Sequence, residues 1–266
     1  MISCPNCTSE KYTLTKDPEV SHCQKCNHYI FNELINREIL LTHELVGDYQ
    51  QKTREKQFKK VFNFILNKID SPNFLEIGAG FGGYINYANT LGFDCLAVDI
   101  DDHYKDSYAT AGIEFIQQDG NQLTLDVSSN VVILSHIIEH IIEPKKILNY
   151  LSNSNVKYFI IEVPSSKGTI FKISKFFLKL NIDFIWNRLW QKNSNSPHLH
   201  YFSDKSLLKT LNDCNLIVEK TINSRFATFK GSFERTLTTE NFFTSIISVV
   251  VIQFLEFINF IMQTPE

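Results

Sequence analysis

Two histidines and a glutamate stand within five residues in the segment SHIIEHIIEP, at 135–144. The pattern His136-x-x-Glu139-His140 is that of a zinc-peptidase helix, in which the histidines bind the metal and the glutamate is a general base. That function needs a long helix and a third ligand. Pro144 follows too closely for such a helix. A zinc peptidase therefore ranks last among the functional hypotheses.

Four of the six cysteines form two closely spaced pairs, Cys4-x2-Cys7 and Cys23-x2-Cys26. Each pair can present two thiolates from one tight turn, and four thiolates complete a tetrahedral zinc site. Such a site is structural, because no coordination position is left for water. We therefore expect a zinc ribbon over residues 1–32, where the metal replaces the core that so short a segment cannot build. Disulfide bonds are the alternative.

Composition limits the classes of function. The 266 residues are 43% hydrophobic and 21% charged, which is enough for one substantial core and a small module. The formal net charge of −3 provides no general basic field, so DNA is not an expected partner. The first residues, MISCPNCTSEKY, lack the basic and apolar regions of a secretory signal, and we expect a cytoplasmic protein with reduced cysteines.

The rest of the chain must position these residues, and its pattern changes near residue 71 from helical to alternating strand and helix. Residues 33–70 are expected to form a helical linker or lid, with its main helix at 54–69. Short apolar runs predict strands at 73–77, 94–99, 113–117, 130–134, 156–163 and 216–222. Helices are expected to begin near Gly82, Tyr104, Glu143 and Ser203. This order predicts an α/β fold with a Rossmann-like, doubly wound and mostly parallel sheet.

A glycine-rich turn, EIGAGFGG at 76–83, joins the first of these strands to a helix. Gly78 and Gly80 allow the backbone to bend sharply and to approach a ligand closely. Asp99 ends the second strand, where a carboxylate can accept both hydroxyls of a ribose. Both NAD(P) and S-adenosylmethionine suit this arrangement. Glu76 favours S-adenosylmethionine, because an acidic residue suits a ligand with an amino group and a sulfonium.

With these motifs in this order, residues 73–221 resemble the class I S-adenosylmethionine-dependent methyltransferases, which implies a seven-stranded sheet. The resemblance implies that Glu76, Gly78 and Gly80 pass along the methionine part of the cofactor. It implies that Asp99 binds the ribose and that Asp119, in the run QDG, lies against the adenine amino group.

Two later segments strengthen this resemblance. SHIIEHIIEP is similar to the segment that follows the fourth strand in many small-molecule methyltransferases, and PHLHYFSDKSLLKTLNDCNL is similar to the one before their sixth strand. Some members of that subset also carry an N-terminal zinc ribbon. Ser135 stands where an acidic residue is frequent, and Asn215 replaces a common glycine. We therefore expect Ser135 to border the cofactor, with its role open between cofactor binding and catalysis.

Methyl transfer requires the acceptor to be held in line with the sulfonium methyl and, for a hydroxyl, to lose its proton. His136, His140 and His200 are the expected catalytic residues, with His198 as a further candidate base. A purely structural role, in which this cluster satisfies local backbone groups, is the alternative. The resemblance to ubiquinone-pathway O-methyltransferases implies a divalent ion near Glu139 and His140.

Two functional hypotheses precede the peptidase. The first is methylation, at oxygen, of a small molecule or of a glycan or lipid-linked sugar precursor. The second keeps the fold but makes the ribbon a module that binds RNA or a protein complex, with RNA or protein methylation or with no catalysis. The ribbon has three lysines against three acidic residues and so has no net basic patch.

Two further segments do not belong to a minimal α/β domain. The methyltransferase-like domain is expected at 71–238 with an insert at 166–200, in which residues 167–192 combine six basic residues with Trp186 and Trp190. An apolar helix is expected at 242–262, within a separate segment, 239–266. Residues 167–192 are interpreted either as a lid or as a surface for an anionic membrane. We expect the helix at 242–262 to pack on its own domain or in a homodimer, and peripheral contact of both segments with the inner face of a membrane is the second interpretation.

Overall fold

The computed structural model describes residues 3–32, 49–192, 194 and 196–222. The chain divides into two units, residues 1–43 with 60–219 and residues 44–59 with 220–266. The predicted helix at 242–262, its expected membrane or dimer contact, and the linker at 33–48 lie outside the described residues. No helix in the described part of the chain is long and apolar enough to cross a membrane.

The cysteine-containing module of the first unit is built on three short antiparallel strands, β1 (Tyr12–Leu14), β2 (Val20–Cys23) and β3 (Tyr29–Phe31). A fourth strand, β9 (His200–Tyr201), comes from far along the chain and pairs with β3, so that Tyr29 faces Tyr201. The module therefore shares its sheet with the domain that follows it.

A five-stranded parallel sheet forms the centre of the first unit. Its strands are β4 (Phe74–Ile77), β5 (Cys95–Asp99), β6 (Glu114–Gln117), β7 (Val131–Ser135) and β8 (Tyr158–Glu162). Their order is β6-β5-β4-β7-β8, so the chain reverses direction across the sheet between β4 and β7. Ligands of open α/β sheets bind at such a point, beyond the carboxyl ends of the strands.

Four of the seven helices in the described residues begin within one residue of the starts predicted near Gly82, Tyr104, Glu143 and Ser203, whereas the helix predicted at 54–69 begins at Tyr49 and the two helices of the insert were not predicted. The helices are α1 (Tyr49–Leu66), α2 (Gly83–Thr90), α3 (Lys105–Ala111), α4 (Pro144–Ser152), α5 (Thr169–Lys179), α6 (Phe184–Leu189) and α7 (Asp204–Asp213). Ser203 caps α7, because its Oγ accepts a hydrogen bond from the backbone N–H of Ser206 at 3.1 Å and the Ser206 Oγ accepts one from the Ser203 N–H at 2.8 Å. The main core packs β4 and β7 against α4 and α7, through residues such as Leu75, Leu134, Leu148 and Leu211.

The insert is a hairpin of two helices, α5 and α6, and its apolar side lies on the cysteine module. Trp186 and Trp190 are buried there with Phe171 against Tyr29 and Phe31. These two tryptophans therefore offer no surface to a membrane, because both rings are covered by protein, while membrane contact through other side chains of 167–192 stays a prediction. Burial of aromatic rings on this scale fixes the hairpin to the module.

The expectation of seven strands is not met in the described residues, where the parallel sheet has five. The predicted strand at 216–222 is absent, and this segment is irregular. Ile217 is 89% exposed there. A β-branched run becomes a strand only when a neighbouring strand and a buried face receive it, and this segment has neither in the described structure.

Candidate active site

The glycine-rich turn lies at the carboxyl end of β4, beside the end of β7. Gly78 and Gly80 have φ values of +67° and +52°, a region in which glycine is favoured. A Cβ at Gly78 would come within 2.5 Å of Ile137 Cδ1, whereas a Cβ at Gly80 would have nothing within 4 Å. Gly78 therefore allows the 136–140 segment to pack on the turn, while Gly80 leaves an open backbone surface that a ligand can approach.

Glu76 is buried in β4 just before this turn. Its Oε2 accepts a hydrogen bond at 2.8 Å from the backbone N–H of Ile85, in the first turn of α2. A carboxylate at this end of a helix satisfies a backbone donor and interacts favourably with the helix dipole. Its observed role is to hold α2 beneath the glycines, and direct contact with a cofactor amino group stays a prediction.

Asp99 ends β5 and is tied to the same turn. Its Oδ2 accepts from the Gly80 N–H at 2.7 Å and its Oδ1 accepts from the Asp101 N–H at 3.0 Å. Burial raises the pKa of Asp99 despite these hydrogen bonds. Each carboxylate oxygen keeps a second lone pair, so the group can still accept the hydroxyls of a ribose.

Asp119 caps a short 3-10 turn, Gly120–Gln122, beyond β6, and its Oδ1 accepts from the Asn121 N–H at 2.8 Å. Asn121 in turn accepts from the Ile142 N–H at 2.9 Å. These bonds tie the loop after β6 to the segment after β7. Asp119 thus shapes the wall of the cleft, and its contact with adenine stays a prediction.

Glu162, which the sequence did not single out, lies at the centre of the cleft. It ends β8 directly beside Ser135 in the sheet register. Ser135 Oγ donates to Glu162 Oε2 at 2.9 Å, and Tyr84 OH lies 3.4 Å from the same oxygen. Glu162 therefore places an acidic group at the edge where Ser135 lacks one. Alignment of the predicted strand ends could have revealed it, because β7 and β8 are parallel neighbours.

His136 follows β7 with a φ of +55°, an uncommon value for a residue with a side chain. Its Nδ1 lies 3.3 Å from Glu139 Oε1 and its Nε2 lies 3.6 Å from Glu162 Oε1. Burial disfavours the charged ring, but the two carboxylates outweigh it and raise the pKa of His136 to about 9. A protonated imidazole cannot accept a proton, so this geometry favours an electrostatic role over the expected base role.

Residues 138–140 form a turn rather than a helix, so the long helix of a zinc peptidase is absent. Glu139, His140 and His198 instead form a compact cluster, in which one potential ligand atom from each lies within 4.8 Å of the others. Glu139 is fully buried, and its Oε2 has no hydrogen-bond partner among the described residues. An unpaired buried carboxylate oxygen is costly, which indicates that the cluster is built for a further group.

The hydrogen bonds around the two histidines differ, because His140 is bonded through Nδ1 whereas both ring nitrogens of His198 have partners, with Nε2 accepting from Gln191 Nε2 at 3.2 Å. His140 Nδ1 lies 2.9 Å from the Pro197 carbonyl, which can only accept, so Nδ1 is the donor and Nε2 keeps its lone pair. Tyr201 OH donates to the Leu189 carbonyl and therefore accepts from His198 Nδ1 at 3.0 Å. Outer partners of this kind orient histidine ligands in metal sites. Burial lowers the pKa of His198 to about 3, which keeps the ring neutral.

Residues 49–221, more than half of the chain, match the family model of a methyltransferase domain. The chain belongs to the S-adenosylmethionine-dependent methyltransferases. No curated protein matches it.

Several solved structures are similar to this chain at low sequence identity. Magnesium protoporphyrin IX methyltransferase from Synechocystis PCC 6803 is 15% identical to this chain. The match covers 66% of this chain and 78% of that one, with a TM-score of 0.49. A methyltransferase from Methanosarcina mazei is 15% identical, and the match covers 62% of this chain and 91% of that one with a TM-score of 0.46. A methyltransferase from Thermotoga maritima is 14% identical, and the match covers 64% of this chain and 76% of that one with a TM-score of 0.45.

His200 does not have the surroundings of a catalytic residue in this methyltransferase. Its Nε2 donates to the Ile141 carbonyl at 3.0 Å, and its Nδ1 accepts from His28 Nε2 at 3.1 Å. Burial lowers the pKa of His200 to about 4, so the ring is neutral. Because both ring nitrogens are engaged with protein, this geometry favours a structural role for His200 over the expected catalytic one, which stays a prediction. It joins the cysteine module to the wall of the cleft.

The four paired cysteines meet in one buried cluster with free thiols. The Sγ atoms of Cys4 and Cys26 are 3.8 Å apart, and those of Cys7 and Cys23 are 3.5 Å apart. Tetrahedral zinc with Zn–S bonds of about 2.3 Å would separate its sulfurs by about 3.8 Å. The cluster therefore fits zinc, and the disulfide alternative is not realised.

Proposed function

We propose that this methyltransferase transfers the methyl group of S-adenosylmethionine to an oxygen of a small molecule or of a glycan or lipid-linked sugar precursor. The observation that carries the proposal is the cluster of Glu139, His140 and His198, which adjoins the cofactor cleft through His136. Two imidazoles beside a buried carboxylate that has one unpaired oxygen suit activation of a hydroxyl. Acceptors that are already nucleophilic, such as amines, have less need of such a group.

The cofactor would lie over the open backbone of Gly80, with its ribose hydroxyls donating to Asp99. Its methionine part would pass Gly78 and Glu76, and Asp119 would face the adenine. Ser135 Oγ and Tyr84 OH, at 2.9 and 3.4 Å from Glu162 Oε2, form with it a polar edge beneath the place expected for the sulfonium. A carboxylate at that position favours a cationic ligand.

The acceptor-side cluster has the donor atoms of a divalent metal site. Glu139 Oε2 and the Nε2 atoms of His140 and His198 would hold the ion, with His198 Nε2 exchanging its 3.2 Å hydrogen bond with Gln191 Nε2 for the metal. The mixture of imidazole and carboxylate favours a transition metal over Mg²⁺. When bound, such an ion would act as a Lewis acid that lowers the pKa of an acceptor hydroxyl. His136 balances the charge of Glu139 and fixes its carboxylate from the cofactor side.

A structural zinc in the cysteine cluster completes the proposal. The module that it would hold together contacts the cleft wall through His28 and His200 and contacts α7 through Asn6, whose Nδ2 donates to the Ser206 carbonyl at 3.0 Å. The zinc would thus brace the acceptor side without taking part in the chemistry.

Cofactor binding can be tested separately from catalysis by titration calorimetry with S-adenosylhomocysteine. We expect Asp99→Asn to weaken binding by about tenfold or more, because it removes the charge on a ribose acceptor. Asp106→Asn, on the exposed start of α3, is the matched control and should bind as the wild type does. Wild-type protein that binds no S-adenosylhomocysteine would refute the proposal at its first step.

The acceptor chemistry can be tested with methyl-labelled cofactor and panels of hydroxylated, aminated and sugar-containing acceptors. Glu139→Gln and His198→Ala should retain cofactor binding and lose transfer, and Mn²⁺, which the four thiolates do not favour, should bind the wild type but not these variants. Glu143→Gln changes a carboxylate that is 70% exposed only four residues away and is the control. Transfer that survives in both cluster variants, or methylation of amines alone, would refute the role of the cluster.

A further inference from the structure

The turn between α5 and α6 and the ends of the helices beside it, residues 176–184, form a tip that exposes several large apolar side chains. Phe176, Leu180, Ile182 and Phe184 are 58%, 55%, 40% and 53% exposed. Single exposed apolar residues are common on protein surfaces, but a contiguous group indicates a binding surface. We call these nine residues the hairpin tip.

The exposure of the tip is not a by-product of how the hairpin packs. The inner faces of α5 and α6 already bury Phe171, Leu178, Trp186 and Trp190 against the cysteine module. Trp186 Nε1 also donates to Asp17 Oδ2 at 2.7 Å, which anchors the hairpin by a polar contact. The hairpin is therefore held firmly by one face while its tip carries apolar area that this packing does not use.

Lysines flank the apolar tip. Lys172, Phe176, Lys179 and Leu180 follow one another at helical spacing, so they share one face of α5 and its end. Lys16, from the cysteine module, joins them by donating from Nζ to the Lys179 carbonyl at 2.7 Å. All three lysines are exposed, and Asp183 is the single acidic residue of the tip. The apolar side chains thus have a positively charged border.

We propose that the hairpin tip docks onto the surface of an anionic lipid bilayer. Apolar side chains bordered by lysines match the two zones of such a surface, because the former enter the acyl boundary while the latter meet acidic headgroups. The four half-exposed side chains offer roughly 400 Å² in total. A second copy of the chain is the less suitable partner, since a stable dimer buries about 800 Å² on each side.

Docking would orient the acceptor side of the enzyme. The backbone N–H of His198 donates to the Trp190 carbonyl at 3.0 Å, so the hairpin that reaches the bilayer also holds one residue of the acceptor cluster. A lipid-linked acceptor would then be presented on the correct side. This consequence rests on the proposed function, whereas the docking itself does not and is tested without any methyl transfer.

The test is co-sedimentation of the full-length chain with vesicles of phosphatidylcholine alone and of phosphatidylcholine mixed with phosphatidylglycerol. The wild type should bind the anionic vesicles and bind more weakly as salt rises. Each of the large apolar side chains of the tip is about half exposed, so its replacement removes about half of its transfer free energy and lowers the affinity about fivefold. The affinity of Phe176→Ser/Leu180→Ser/Phe184→Ser for anionic vesicles should therefore fall on the order of hundredfold. Lys172→Glu/Lys179→Glu should lose at least about twentyfold.

Matched controls separate the tip from general surface effects. Leu91→Ser/Leu208→Ser removes apolar side chains that are 45% and 43% exposed elsewhere, and Lys146→Glu/Lys205→Glu makes the same charge change on other helices. Both should bind as the wild type does, and circular dichroism should show every variant folded. Wild type that fails to bind anionic vesicles, or a triple variant that binds like its control, overturns the proposal. A dimer that the triple variant dissociates in sedimentation velocity overturns it in favour of a second copy.

Discussion

Substitution of alanine at Gly78 and at Gly80 should separate packing from ligand approach within one turn. Both glycines have positive φ, so each alanine carries a backbone cost of about 1–2 kcal/mol. At Gly78 the new Cβ would also lie 2.5 Å from Ile137 Cδ1 and 2.7 Å from its Cγ1. Overpacking of this kind adds about 1–3 kcal/mol, because Ile137 must leave its rotamer.

We therefore expect Gly78→Ala to lower the free energy of unfolding by about 2–5 kcal/mol and Gly80→Ala by only about 1–2 kcal/mol. Urea denaturation measures both. The affinity of the folded protein for S-adenosylhomocysteine should show the opposite order, with the larger loss for Gly80→Ala. Gly80→Ala should weaken S-adenosylhomocysteine binding by about tenfold or more, because its methyl group occupies the open surface over the turn.

A double-mutant cycle tests the assigned contact directly. Ile137→Ala removes the atoms that the Gly78→Ala methyl group would contact. The free energy of unfolding of the double variant should therefore be about 1–2 kcal/mol higher than the sum of the two single losses predicts. Equal stability of Gly78→Ala and Gly80→Ala, or strict additivity with Ile137→Ala, would show that the 136–140 segment does not pack on the turn in this way.

Three further results are expected. His200→Leu should destabilise the protein by about 2–4 kcal/mol, because it leaves His28 and the Ile141 carbonyl without their partner. The kcat of the folded fraction should stay within about threefold of the wild type, and a selective loss of kcat would support a catalytic role instead. Removal of zinc by a chelator, or Cys23→Ser, should shift the fluorescence of Trp186 and Trp190 to longer wavelength, because the cysteine module covers both rings; an unchanged spectrum contradicts that dependence. Ser203→Ala should cost about 1–2 kcal/mol in thermal unfolding, since the side chain caps α7 and also donates to the Cys26 carbonyl at 2.7 Å; a loss no larger than that of an exposed serine would contradict it.

The parts of the site that are local in sequence could be predicted from it. The glycine-rich turn, Asp99 at the next strand end and the paired cysteines depend on spacings of a few residues or on one strand–helix–strand unit. Their positions follow from the geometry of that unit. The start of α7 at Ser203 was predictable for the same reason, because a cap and its helix are adjacent in the chain.

The parts that depend on distant partners could not be predicted. Glu162 reaches Ser135 only because β8 pairs with β7, and His198 reaches Glu139 only because the insert folds back over the cleft. The tryptophans of the insert suggested a membrane surface, since an amphipathic segment looks the same whether its apolar face meets lipid or protein. The strand predicted at 216–222 is the same problem in reverse, because among the described residues this strand-like run has no neighbouring strand.

The cysteine module is better described as part of the acceptor side than as an appended domain. It contributes three of the four strands of a sheet whose last strand, β9, directly follows His198 and Leu199. It also contributes Val20, Tyr29 and Phe31 to the core that holds the hairpin. Since His198 is bonded to that hairpin and to Tyr201 of β9, its position depends on the module from two directions. Zinc bound by four thiolates would therefore stabilise the geometry of the acceptor cluster from outside the cleft, while the glycine-rich turn, which follows β4, would depend on it far less.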